Sequence, residues 1–186
     1  MLQKLAAVIV LVFMFNSVYA DSLDVNFSSD SVRAVYNLDR GSKDYGFGGL
    51  VVNPDRGSSS RLVHAGLEVT GDDYSGNTTL EGKLGFRAYL LSSDAIDVSA
   101  LALGGQIRFY PEASKVGFSI SGYYAPEIVV GLDGDRFWEW GARLEYRLFE
   151  TGTLYAGYRE IEARPDGVQQ DVTIDDGGFI GVDIRF

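Results

Sequence analysis

From Phe137 to Phe149 the side-chain character switches at every residue. Trp138, Trp140, Ala142, Leu144, Tyr146 and Leu148 fall on one face of an extended chain, and Glu139, Gly141, Arg143, Glu145 and Arg147 fall on the other. Successive strand side chains point to opposite faces. A period of two therefore admits a strand and excludes an amphipathic helix, whose apolar positions return every three to four residues. The last residues repeat the pattern: Ile180, Val182, Ile184 and Phe186 share a face opposite Gly181, Asp183 and Arg185.

The same alternation recurs along the chain. Leu80, Leu84, Phe86 and Leu90 oppose Glu81, Lys83, Gly85 and Arg87; Leu101, Leu103, Ile107 and Phe109 oppose Ala100, Ala102, Gln106 and Arg108. Candidate strands are Ser22–Phe27, Ser31–Leu38, Tyr45–Asn53, Arg61–Thr70, Thr78–Leu91, Val98–Tyr110, Val116–Glu127, Phe137–Phe149, Leu154–Ile161 and Gly178–Phe186. Several exceed the ~5–6 residues of an ordinary strand and suit a tilted membrane span of ~9–11 residues with extensions. Aromatics gather at run ends (Trp138 and Trp140, Phe109 and Tyr110), where an interfacial girdle belongs. A soluble sandwich would turn the apolar face inward. A membrane barrel turns it to lipid and the charges to the lumen.

The N-terminus reads as an export signal. Lys4 precedes an apolar run, Leu5 to Phe15, which is too short for the ~20 residues of a spanning helix. Val18-Tyr19-Ala20 follows, so cleavage is expected after Ala20. Residues 21–186 then form one domain without cysteine or low-complexity linker. They contain no apolar run long enough for a membrane helix, and only helices and closed barrels satisfy every backbone group in lipid. The expected fold is all-β: a transmembrane, antiparallel, up-and-down β-barrel of eight to ten strands, with ten preferred over eight. Short connections at Phe149–Gly152 and Pro111–Lys115 would face the periplasm, and a long polar loop, Arg164–Asp176, would lie outside.

Certain segments resemble a known family. Gly122-Tyr123-Tyr124-Ala125-Pro126, Gly141-Ala142-Arg143, Gly157-Tyr158-Arg159 and Asp176-Gly177-Gly178-Phe179-Ile180-Gly181-Val182 are similar to the small YfaZ-type outer-membrane proteins. The resemblance is clearest from about Gly122 to Phe186. The ending also resembles the signal read by the barrel-assembly machinery, with Gly181, Ile184 and Phe186 in the expected places and Phe179 in a slot more often polar. The resemblance implies an outer-membrane location and a barrel fold, with no assigned reaction.

Alternation assigns the lumen. Acidic candidates are Glu68, Glu81, Glu127, Glu139, Glu145 and Asp183; basic candidates are Arg33, Lys83, Arg87, Arg108, Arg143, Arg147, Arg159 and Arg185. Eight bases against six acids make a nearly balanced interior, although the chain as a whole carries −10. Such a lumen favours an ion-paired plug, because ~8 strands leave room only for side chains and paired ions avoid the cost of isolated ones. The acidic exterior argues against nucleic acid. Expected partners are outer-membrane lipid and lipopolysaccharide, with the assembly machinery engaging the last strand.

Catalytic chemistry finds little support. His64, the single histidine, shares a face with Glu68, and Ser58, Ser59 and Ser60 lie near in sequence. A Ser-His-Glu lipid hydrolase is conceivable, yet a triad is defined by geometry, and a lumenal His beside Glu is more often part of a polar network. One His and no Cys give no zinc spacing. Asp133-Gly134-Asp135 is too short for a calcium loop of ~12 residues. Gly46-Phe47-Gly48-Gly49 lacks the lysine-serine of a phosphate loop. No cofactor is expected. A structural or surface-interaction barrel leads, ahead of a narrow pore or lipid-handling channel, with a rim or lumenal hydrolase third. A soluble barrel holding an apolar ligand is disfavoured by Phe186 and the long aromatic-flanked runs.

Overall fold

A computed structural model of the chain describes residues 21–53, 59–75, 78–94, 96–112 and 114–186. The export signal expected over residues 1–20 lies outside them. The strands are β1 (Ser22–Phe27), β2 (Ser31–Asp39), β3 (Lys43–Val52), β4 (Ser60–Ser75), β5 (Thr78–Ser93), β6 (Asp97–Tyr110), β7 (Val116–Ala125), β8 (Val130–Leu132), β9 (Gly134–Phe149), β10 (Gly152–Pro165) and β11 (Val172–Arg185). Ten of them form a closed antiparallel ring: β1 through β7 pair in sequence, β7 pairs with β9, and β11 returns to β1. β8 follows a 3-10 turn at Glu127–Val129 and pairs with the start of β6, above the end of β7. The first two short runs are both strands, so the wall has ten rather than eight.

The expectation of a long polar loop over Arg164–Asp176 is corrected. β10 runs to Pro165 and β11 begins at Val172, leaving 166–171 as the connection. The cause is a register shift. Ile161 faces Asp175, but Glu162 faces Thr173, so residue 174 is extra. Ile174 and Asp175 consequently both turn inward and are buried. A bulge of this kind breaks the period of two that identifies a strand.

Both described ends of the chain share one rim, where the backbones of Asp21 and Phe186 exchange hydrogen bonds of 3.0 and 2.9 Å. This terminal rim also carries the ends of β2, β4, β6 and β9, with connections 40–42 and 150–151. The opposite, loop rim carries the ends of β1, β3, β5, β7 and β10, with connections 28–30, 126–133 and 166–171. Among the connections described throughout, the shortest, 150–151, lies at the terminal rim and the longest, 126–133, opposes it.

Outward positions form an apolar belt. Leu84, Leu90, Leu144 and Ile180 are each at least 58% exposed, alongside Phe47, Phe86, Phe118 and Leu154. The interior has two zones. Toward the loop rim, Leu50, Leu62, Tyr89, Leu91, Val98, Ala102, Phe137 and Ile161 pack into one apolar cluster, with Phe137 and Ile161 fully buried. Tyr89 and Phe137 stack there at 4.5 Å. Toward the terminal rim the inward positions are mostly charged or polar, with Val35 among them. Burying each large apolar side chain contributes about 1.5–3 kcal/mol, so the cluster can offset part of the desolvation of the ions beneath it.

Candidate functional site

Strand register sets the charged interior. Glu81 faces Arg108 directly across β5 and β6, and Arg108 Nη1 lies 3.3 Å from Glu81 Oε1. Other facing pairs carry like charge, among them Asp24 opposite Asp183 and Asp44 opposite Glu68. Like charges directly opposite destabilise a sheet, and here cations from further strands separate them. Arg143 of β9 reaches Asp24 at 2.7 Å, Lys83 of β5 pairs with Asp44, and Arg87 of β5 meets Glu68 at 2.8 Å.

Glu145 is among the most fully coordinated acids. Tyr110 donates its hydroxyl at 2.6 Å, Ser119 donates at 2.7 Å, and Arg108 Nε stands 3.0 Å away. Three donors on a buried carboxylate replace its lost hydration. Glu139 has a similar setting deeper in, with Arg33 Nη1 on one oxygen and the Tyr89 hydroxyl on the other at 2.9 Å. The Tyr123 hydroxyl donates to Glu68, and the Arg87 guanidinium lies 3.8 Å from the Tyr123 ring centre. Arg159 spends all three nitrogens: on Asp175, on Asn26 at 2.8 Å and on Ser31 at 3.2 Å.

Glycines make room for this network. A Cβ at Gly48 would sit 2.2 Å from His64 Nε2, and one at Gly181 would sit 2.4 Å from the Tyr155 ring and hydroxyl. Gly181, read as part of an assembly signal, thus also clears space for Tyr155, whose hydroxyl donates to Asp24. Phe179 faces inward, edge-on to Tyr155 at 5.9 Å and 5.0 Å from the Arg159 guanidinium. An aromatic in that slot covers buried arginines, a use the sequence pattern did not reveal.

Of the expected lumenal charges, Glu68, Glu81, Lys83, Arg87, Arg108, Glu139, Arg143, Glu145 and Arg159 all enter this interior. Arg33 joins them through Glu139. Arg147 stacks on the Tyr110 ring at 3.5 Å. Asp183 and Arg185 lie 3.9 Å apart at the terminal rim, where Arg185 is exposed. Glu127 is a correction: it opens the 3-10 turn beyond β7 and is exposed, because the strand ends at Ala125 before Pro126. Missed were Asp24, Asp44 and Asp175. The first lies in a short strand, the second next to a hairpin, and the third in the bulged segment.

Beneath the apolar cluster a cavity of about 260 Å³ opens at the terminal rim. Asp39, Asp72, Arg185 and Asp183 stand around it, with Arg33 and Arg87 among its lining residues. The hydrolase geometry is not assembled among the described residues. Glu68 is held by Arg87 and Tyr123, and His64 Nε2 lies 3.4 Å from Arg33 Nη2. Arginine only donates, so His64 Nε2 can only accept in that contact, and His64 Nδ1 has no hydrogen-bond partner among the described residues. Ser58 lies outside the described residues, and no hydroxyl of the described residues bonds His64. No group of three or more metal-ligating side chains occurs among the described residues.

An antiparallel ring with apolar residues outside and paired charges inside defines a small inside-out β-barrel protein. The chain belongs to the YfaZ precursor family, whose description matches residues 2–186. No curated protein matches the chain. The segments that carried the resemblance supply network members: Tyr123 on Glu68, Arg143 on Asp24 and Arg159 on Asp175.

Proposed function

We propose that the protein is a small outer-membrane barrel with a structural or surface-interaction role and no reaction of its own. The observation that carries this reading is the inversion of polarity, with an apolar belt around a wall whose inner side is ion-paired. In water such a belt would be costly, whereas in lipid it is the required surface. A family described as a precursor is compatible with the leader expected at residues 1–20. The terminal rim then faces the periplasm and the loop rim faces outward. The lumen is plugged in two layers, apolar above and charged below. Lipid and lipopolysaccharide contact the belt and the loop rim, and the assembly machinery engages β11.

The test is fractionation and conductance on one preparation. The folded protein should partition with washed outer membranes, run faster on gels before boiling than after, and leave a planar bilayer silent. A stable monomer in detergent-free buffer would overturn the membrane reading. The 260 Å³ cavity at the terminal rim supports a second reading, a narrow pore. Resolved single-channel steps would favour it over the plug.

A further inference from the structure

A second cavity of about 40 Å³ lies at mid-height in the barrel. Arg33, Arg87, Arg143 and Arg159 line it, with Gln106 and Ser121 completing its polar wall and Glu139 as its one acid. Its volume suffices for a single water-sized particle. Arg33 is 95% buried, and its Nε has no hydrogen-bond partner. Arg87 and Arg143 commit one nitrogen each, to Glu68 and Asp24. The Gln106 amide and the Ser121 hydroxyl make no hydrogen bond among the described residues. Each oxygen of Glu139 already accepts one hydrogen bond, from Arg33 and from Tyr89.

We propose that this cavity binds one halide-sized inorganic anion, chloride under ordinary conditions. The wall offers more free donors than acceptors: Arg33 Nε, the uncommitted nitrogens of Arg87 and Arg143, the Gln106 amide nitrogen and the Ser121 hydroxyl, against the Gln106 and Ser121 oxygens and the second lone pairs of Glu139. A water brings two donors of its own and would draw on those few acceptors. A monatomic anion only accepts, so it can use the guanidinium, amide and hydroxyl donors together. It also relieves the crowding of four guanidinium groups, which their carboxylates neutralise only from outside the cavity, Glu139 excepted. The cavity's small volume excludes larger organic anions. Arg33, Arg87, Gln106 and Arg143 line both this cavity and the larger one open at the terminal rim, so the anion has an entry path. The site follows from the interior alone and does not rest on the membrane reading.

Bromide is the probe. Crystals of the folded protein grown in sodium bromide should show an anomalous peak within about 3.5 Å of Arg33 Nε. Urea midpoints at fixed ionic strength should be higher in chloride than in gluconate. Gln106→Glu places a fixed carboxylate on the wall and should weaken bromide binding about tenfold or more, removing the chloride–gluconate difference. A cavity holding water alone, no bromine peak at Arg33, or equal midpoints in the two salts would each overturn the proposal. The bromide measurement on the unaltered protein decides the matter even if the variant does not fold.

Discussion

Glu145 shows what one inward residue does. Considered with Leu144 as an alternating neighbour, it marks only the lumenal side of β9. With Tyr110, Ser119 and Arg108 all directed at its carboxylate, it becomes a junction of three strands. Glu145→Gln would leave Arg108 short of charge in a confined interior, and breaking such a buried pair costs about 3–5 kcal/mol. Arg185→Gln removes a charge that is exposed and 3.9 Å from its partner. Pairs of that kind contribute about 0–1 kcal/mol. Urea unfolding in lipid vesicles should therefore separate the two variants by more than twofold in free energy. Equal losses would mean that the Glu145 cluster does not form. Leu144 offers a third comparison, because it is 62% exposed on the belt. Leu144→Arg should cost about 2–4 kcal/mol at mid-membrane, and a neutral result there would argue for a belt in water.

At the scale of elements, alternation made most of the wall legible. The faces of β5, β6, β7 and β9 follow directly from which residues are charged, since a strand cannot carry Glu81, Lys83 and Arg87 on the side that bears Leu84 and Phe86 without breaking its pairing. Register and bulges were not legible. The extra residue at position 174 made a strand look like a polar loop, and Glu127 looked inward because nothing before Pro126 marks the strand's end. The acids at Asp24 and Asp44 were hidden for a different reason: one lies in a six-residue strand and the other next to a hairpin, where too little alternation surrounds them to assign a face, and their partners Arg143 and Lys83 come from other strands. Pairing between strands is a property of closure, and no local pattern encodes it. The bulge itself can be tested. Asp175→Asn would leave Arg159 buried with a weakened partner, and hydrogen exchange should rise in β10 and β11 near residues 159–161 and 172–176 while β4 and β5 stay protected. Uniform protection in all four would show that the Arg159 cluster does not hold the bulge.

For the whole molecule, the division of the interior into an apolar upper zone and a charged lower zone gives the barrel a direction. Reporters at opposite rims test it. An epitope inserted at Gly167 should be reached by antibody on intact cells, whereas the same epitope at Gly41 should be reached only after the outer membrane is opened. Reversal of the two would invert the barrel. The apolar zone also makes a conductance prediction distinct from that of the charged one. Phe137→Ala removes a fully buried ring from the upper cluster, at a cost of about 3–5 kcal/mol. If the upper cluster is the tighter seal, brief openings should appear in bilayers for Phe137→Ala and not for Arg185→Gln.

The two hydrogen bonds between Asp21 and Phe186 make the wall a ring with a nick in it. A short linker across the nick, with new ends cut at the 40–42 turn, would give a circular permutant with the same pairings in a different chain order. Such a permutant keeps every contact of Phe186 and deprives it of its place at the end of the chain. It would separate two roles that truncation confounds. If the permutant refolds in vesicles but fails to insert in cells, Phe186 serves as an address. If it does both, the aromatic serves the wall.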